Sequence, residues 1–290
     1  MNILILGSSG FLGKKIYLRL NKSKKLNLFH NGIYKRKINL FEKKKLENLL
    51  TYREYSLIIN CAAYTDIDFI ERNKKTTDKI NINLIKDIFN IKLKQKLNFD
   101  LIHFSTDQVY NNKNIYNYEN SKLSRTNHYA IQKILSEKVC LKNKALVIRT
   151  NFFGKSSTKN KSLTDWIYKN FKKPKGNFNL FSDIYFNPIF VDNLADIIHK
   201  IIVKKKTKVT GIFNIGSKNG MSKKDFACLF AKEVNIYSEK AFKTINSDNF
   251  YKVKRSKFMM MNTNKFEKTF KIKLQNLKHE IKRATKSYIN

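Results

Sequence analysis

The sequence predicts an α/β protein: a doubly wound parallel sheet, with a smaller substrate-binding lobe built from the C-terminal part of the chain. Three observations carry this. Short apolar runs that read as buried strands, at residues 2–6 (NILIL), 57–61 (LIINC), 99–104 and 145–148, alternate with amphipathic helical stretches. A glycine turn follows the first run directly. The length of 290 residues, 42% apolar with only 2 Pro and 9 Gly, suits one large domain or a main domain with a lobe, and excludes collagen-like or linker-rich chains.

Taken in order, strand 2–6 and the turn at 7–13 lead into a helix whose apolar residues are Phe11, Leu12, Ile16, Leu18 and Leu20. Residues 26–30 and 37–40 read as a second and a third strand, the latter ahead of a helix at about 42–50. After strand 57–61 one long helix is expected at about 76–96, then strand 99–104, a helix at 127–141 and strand 145–148. Beyond Arg149 the pattern loosens. Helices are expected at about 162–171, 192–203, 222–234, 263–270 and 276–288, with a strand at 211–215. Ser222 caps the helix at 222–234, with Asp225 at the third helical position. The first domain is therefore drawn at 1–150, with the chain returning to it at about 187–215. The lobe occupies 151–290, mainly 151–186 and 216–290.

Net charge is +37, from 59 Lys and Arg against 22 Asp and Glu. The lysines are scattered and accompanied by abundant Asn and Ile, as an AT-rich genome produces. No specific nucleic-acid partner is expected, although a basic field gathers anionic small substrates. Three cysteines without CxxC spacing, Cys61, Cys140 and Cys228, argue against a disulfide scaffold or zinc site and for a reducing compartment. No apolar run approaches the ~20 residues of a membrane span, and the apolar N-terminus is too short for a signal sequence. A cytoplasmic location without membrane attachment is expected.

Three features carry chemistry. In Gly7-Ser8-Ser9-Gly10-Phe11-Leu12-Gly13, glycines between a strand and a helix let backbone approach a pyrophosphate, and the helix N-terminus offers N–H groups to it. No acid stands between Gly13 and Glu42 to take a ribose 2′-hydroxyl, whereas Lys35 and Arg36 follow the second strand. NADPH is favoured on this ground, with NADH as the alternative. Finally, Tyr129 and Lys133 lie four apart on one helix face, where an ammonium favours the phenolate. A strand ending in Ser105-Thr106 stands upstream, and a hydroxyl at a parallel strand's C-terminal tip faces the ligand crevice. The five histidines show no ligand spacing, and His128, beside Tyr129, points away from it on the helix.

With these motifs in this order the chain resembles the extended short-chain dehydrogenase/reductase superfamily, and within it the dTDP-4-dehydrorhamnose reductase group. The resemblance rests on 3–13 (ILILGSSGFLG), 59–68 (INCAAYTDID), 104–110 (FSTDQVY), 129–133 (YAIQK), 148–154 (IRTNFFG), Arg255-Ser256-Lys257 and 262–270 (NTNKFEKTF). It implies a Rossmann fold and reduction of a 4-keto sugar nucleotide, in nucleotide-sugar and surface polysaccharide biosynthesis. By the same resemblance, Gly7, Gly10 and Gly13 form the phosphate turn, with Phe11 and Leu12 against the cofactor. Ala62, Ala63 and Tyr64 form the loop passing its phosphates and ribose. Thr106 bonds the substrate oxygen, Tyr129 is the catalytic acid, and Lys133 holds the nicotinamide ribose. The chain departs from the group at Asn39, at 151–154 and at 184–189. A sugar-nucleotide epimerase or dehydratase with tightly held NAD, the dehydratase being expected to place an acid near Thr106 as Asp107 stands here, and a non-catalytic dinucleotide-binding regulatory subunit are the alternatives. The sugar, the base and the oligomeric state, a homodimer included, are left open.

Overall fold

Strand β1 (Asn2–Leu6) shows why the sheet is covered on both faces: Ile3, Leu4, Ile5 and Leu6 are all 0% exposed, so neither side of the pleat meets water. The computed structural model describes residues 1–31, 39–113, 116–158, 162–174, 177–248 and 250–289. Around β1 stand β2 (Asn27–His30), β3 (Leu57–Asn60), β4 (Asp100–Thr106), β5 (Leu146–Thr150) and β6 (Gly211–Ile215), in the order β6-β5-β4-β3-β1-β2. Pairing is parallel between β1 and β2, β1 and β3, and β3 and β4. The strand expected at 37–40 is not seen at Asn39 and Leu40, which lie in a turn; Lys37 and Ile38 lie outside the described residues.

Alternate residues assign the faces. Leu4, Leu6, Ile58, Leu101 and Val147 form one cluster with Leu46, Leu49 and Leu50 of α2 (Lys43–Thr51) and with Leu84, Ile85, Ile88, Phe89 and Ile91 of α5 (Leu84–Lys94). Each such side chain contributes about 1.5–3 kcal/mol on burial. Helix α1 (Phe11–Leu20) buries Leu12, Gly13, Ile16 and Leu20, and its Arg19 pairs with Asp196 of α8 (Val191–Val203). The single helix expected at 76–96 is α4 (Lys74–Asp78), a π-helical turn at Lys79–Asn83, and α5, preceded by α3 (Ile67–Arg72).

The chain divides into two compact units. The first holds Met1–Thr106, Arg125–Arg149 and Ala195–Phe213; the second holds Asp107–Ser124, Thr150–Leu194 and Asn214–Asn290. Segment 107–124, drawn in the first domain on sequence, clusters with the second unit, and the return to the first begins at Ala195. Besides α6 (His128–Lys142) in the first unit, the remaining helices are α7 (Leu163–Lys172), α9 (Lys223–Glu233), α10 (Asn264–Phe270) and α11 (Leu277–Ile289), all in the second. Its strands are short: Phe178–Phe181 pairs in parallel with Phe242–Ile245, and Tyr185–Phe186 antiparallel with Met221–Ser222. Aromatic rings fill its core, with Phe226 edge-on to Phe153 at 4.9 Å and to Phe186 at 5.3 Å.

Glu280 of α11, at 0% exposure, is a buried acid of the second unit. It accepts from Asn193 Nδ2 and from the Phe190 N–H at 3.3 Å, and burial raises its pKa to about 7 despite these bonds and Arg283. An acid whose folded pKa is raised binds its proton more tightly in the native state. Its stabilising contribution is therefore complete below the unfolded value, near 4.5, and is lost as pH rises through about 7. Denaturant melts of the wild type and Glu280→Gln should diverge as pH rises from about 5 to about 8, the variant gaining on the order of 2 kcal/mol. Parallel curves at both pH values would contradict this.

Candidate active site

The order β2-β1-β3 puts the point where the sheet reverses direction between β1 and β3, and ligands of open α/β sheets bind outside the carboxyl ends there. The loops leaving both strands meet at that point. Gly7 has φ +74, and a Cβ on it would stand 2.5 Å from the Ala62 nitrogen. A Cβ on Gly13 would stand 2.3 Å from the Gly7 carbonyl oxygen. Any side chain at either position forces the turn or the loop apart. The Gly10 N–H donates to the Gly7 carbonyl at 3.0 Å, and Gly10 caps α1 without a side chain, with no acid in the helix's first turn. Ser8 is fully buried and its hydroxyl has no partner. This backbone cradle, an uncapped helix start beside an unmatched buried hydroxyl, fits the pyrophosphate of a dinucleotide. Leu12 is buried and Phe11 half-buried. Asn31, at the end of β2, accepts the Gly7 N–H at 2.8 Å.

The facing loop is held by two asparagines that sequence reasoning did not single out. Asn60, the last residue of β3, accepts the Ala62 N–H at 3.1 Å. Asn81, in the π-helical turn, accepts the Tyr64 N–H at 2.9 Å and donates to the Tyr64 carbonyl at 3.0 Å, as a neighbouring strand would. Its amide also donates to Gln132 Oε1 at 2.6 Å, and Gln132 in turn donates to Thr77 at 2.8 Å and Asp78 at 2.7 Å. Loop 62–64 is thereby tied to α6. A wide turn of this kind is rare and concentrates at functional sites. Ala62 and Tyr64 are half-buried and Ala63 exposed, while His128 bonds Asp78 at 2.9 Å.

Helix α6 is capped by Asn127, which accepts the Ala130 N–H at 3.0 Å, and so begins one residue before Tyr129. Tyr129 and Lys133 are 7% and 2% exposed, and Thr106, at the tip of β4, is 6% exposed. Lys133 Nζ donates to the Phe104 carbonyl at 2.6 Å, which fixes α6 against β4 two residues before Thr106. Burial lowers the Lys133 pKa to about 8, while Glu137, Cys140 and Cys61 pull it upward. His103, on β4, is 2% exposed and its pKa falls well below 6.5 through burial and the Lys133 charge, so the ring is neutral. One turn beyond Lys133, Glu137 accepts two bonds from Arg149, at 2.9 and 2.7 Å, and one from Ser105 Oγ at 2.5 Å. Neither Glu137 nor Arg149 is more than 2% exposed.

Lys35 and Arg36, the sequence's argument for a 2′-phosphate, lie outside the described residues. An opening of about 990 Å³ in the first unit is lined by Asn2, Ser56 and Asp100, at the amino ends of the strands and so away from the reactive tips. The second unit has a cleft of about 380 Å³ between Trp166, Phe181, Phe250 and Tyr251, with Lys223 at its wall. Also there, Asp107 accepts from Asn151 Nδ2 at 2.7 Å. Asn187, in the departing segment 184–189, is 1% exposed and donates to the carbonyls of Ser217 and Met261. Among the described residues no cluster of three or more His, Cys, Asp or Glu could hold a metal ion, and no helix is long and apolar enough to cross a membrane.

Methionine adenosyltransferase 2 subunit beta of Danio rerio is 22% identical over 245 residues, covering 81% of this chain and 75% of that protein. The fold is similar to that of a dTDP-4-dehydrorhamnose reductase from Clostridium acetobutylicum, with TM-score 0.87, 20% identity and 99% of both chains covered. It is also similar to a dTDP-4-dehydrorhamnose reductase from Bacillus anthracis in complex with NADP, with TM-score 0.85, 19% identity and 99% of both chains covered. At such identities the structural likeness speaks for the fold. The family model described as the RmlD substrate binding domain matches residues 1–290, the whole chain. This protein belongs to that family.

Proposed function

We propose that this protein is an oxidoreductase that reduces the keto group of a nucleotide-linked sugar, with Thr106, Tyr129 and Lys133 as its reacting side chains. The observation that carries the reading is the buried Lys133, held on the Phe104 carbonyl beside the Thr106 strand tip with its pKa lowered to about 8, one helical turn from Tyr129. A nicotinamide dinucleotide supplies the hydride when bound. The turn Gly7-Gly10-Gly13, with Phe11 and Leu12, holds its pyrophosphate, and Ala62, Ala63 and Tyr64 line its phosphates and ribose. Lys133 holds the nicotinamide ribose. Tyr129 gives its phenolic proton to the developing alkoxide, while Thr106 donates a hydrogen bond to the same oxygen. Likeness to reductases of 4-keto sugar nucleotides supports this substrate class.

A panel of 4-keto sugar nucleotides, followed by loss of reduced-nicotinamide absorbance, tests the reading. Reduction of at least one is expected. A protein that binds dinucleotide yet reduces none would favour a second reading, a regulatory dinucleotide-binding subunit, which the likeness to the methionine adenosyltransferase beta subunit supports. The dehydratase reading, which needs Asp107 as an acid, is less well supported because that carboxylate is engaged by Asn151. With no acid between Gly13 and Glu42, NADPH is expected to bind more tightly than NADH. Fluorescence titration of both measures this, and NADH binding as tightly or more tightly would remove Lys35 and Arg36 as 2′-phosphate ligands.

A further inference from the structure

We infer that His103 is a positioning residue of this active site: its neutral imidazole completes a one-way chain of hydrogen bonds from the dinucleotide loop at Ala62 to the backbone of Lys133. The inference rests on the reading of loop 62–64 and Lys133 as dinucleotide contacts, and it names the group that sets both.

The contacts are few and buried. Asn60 Nδ2 lies 3.1 Å from His103 Nδ1, His103 Nε2 lies 3.1 Å from Ser136 Oγ, and Ser136 Oγ lies 2.9 Å from the Lys133 carbonyl oxygen. Asn60, His103 and Ser136 are each at most 2% exposed, so water does not substitute for a missing partner. The two ends fix the direction of every bond between them. Ala62 offers only an N–H, so Asn60 must turn its carbonyl oxygen toward it and its amide toward the ring. His103 Nδ1 then accepts, which leaves the proton of the neutral ring on Nε2. At the other end the Lys133 carbonyl only accepts, so the Ser136 hydroxyl proton points there and its oxygen receives Nε2–H. The opposite tautomer would set two donors face to face at Asn60, or flip that amide and strand the Ala62 N–H.

This direction has a consequence for Lys133. Its Nζ stands 3.4 Å from His103 Nε2, and both atoms carry protons. The ammonium is turned away from the ring and onto the Phe104 carbonyl at 2.6 Å. Among the described residues, the charged and titratable groups around Lys133 are Glu137, Cys140 and, one turn back, Tyr129 on α6, Cys61 after β3, and the Nε2–H dipole of His103 on β4. The last opposes the ammonium. A protonated imidazole would lose the Asn60 bond and set a second cation beside Lys133, so the site requires a ring that stays neutral.

The test uses the full chain and three variants. His103→Asn keeps an acceptor facing Asn60, His103→Gln keeps a donor facing Ser136 and Lys133, and His103→Phe keeps a ring with neither. In the ligand-free wild type, imidazole nitrogen NMR should show the Nε2–H tautomer with no titration between about pH 5 and about pH 8. His103→Phe should weaken NADPH binding about 10-fold, the equivalent of roughly 1.4 kcal/mol. It should also move the alkaline loss of NADPH affinity, which reports Lys133, upward by roughly half a pH unit. His103→Asn should recover most of the affinity but not the pH profile, and His103→Gln the pH profile but not the affinity. A wild-type ring that titrates near its ordinary value, or carries its proton on Nδ1, overturns the inference. So does a His103→Phe protein that melts lower yet keeps wild-type affinity and pH profile, for that marks packing alone. None of these readouts needs a substrate, so a failed keto-sugar panel leaves them standing. A wild type that binds no dinucleotide sinks the proposed function and this inference with it.

Discussion

Tyr129→Phe should leave NADPH affinity within about twofold of wild type while turnover falls by roughly 10²–10⁴-fold, the usual cost of losing a general acid. The substitution removes one oxygen from a residue only 7% exposed and keeps the ring that packs α6. Binding and chemistry therefore separate. Lys133→Met is the contrasting control: it removes the bond to the Phe104 carbonyl and, on the proposed function, the ribose contact with it, so affinity and turnover should fall jointly. A Tyr129→Phe enzyme with full turnover would dismiss the proton donor named here.

Arg149→Met should be strongly destabilising, by about 3–5 kcal/mol, because it takes from the buried Glu137 carboxylate the cation that donates two of its bonds, leaving the hydrogen bond from Ser105. Thermal melts should fall by roughly 10 °C for a unit of this size. Changing Arg149 and Glu137 together to Met should recover much of the loss, since the burden is the unpaired charge rather than the missing bonds. A double variant as unstable as the single one would mean that the shape of the pair, not its charge, is what the core needs. Glu137 stands one turn from Lys133, so the single variant should also disturb dinucleotide binding.

Most of the sheet and the outline of the site were legible because both rest on local pattern. Apolar runs end within two residues of the strands, β4 and β5 running on through Ser105-Thr106 and Arg149-Thr150, and α6, α9 and α11 begin and stop within about a residue of the periodic stretches that announce them. The glycine turn and the Tyr129-Lys133 spacing are local too. What stayed hidden is the polar scaffold under them. Asn31, Asn60, Asn81, His103, Gln132 and Ser136 take their roles from partners distant in sequence, 24 residues away for Asn31 and 51 for the Asn81–Gln132 pair. One signal was present. Ile80, Leu84, Ile85 and Ile88 share one helical face, but the buried Ile82 falls off it and a buried polar Asn81 sits among them, as a widened turn allows. Reading 76–96 as one regular helix smoothed that irregularity away. The small strands of the second unit were missed for another reason: two to four residues carry too little alternation to be seen.

The first unit is assembled from three stretches of chain, and its sixth strand, Gly211–Ile215, arrives long after β5. During synthesis the growing polypeptide therefore carries an incomplete sheet whose β5 edge has open N–H and C=O groups while the segment from Thr150 to Leu194 is still emerging. No fragment ending at Arg149 contains the full sheet, so early termination leaves a sticky edge rather than a smaller stable protein. Completion of the first unit is a late event in the life of the nascent chain, timed by the passage of the Thr150–Leu194 segment that separates β5 from Gly211–Ile215.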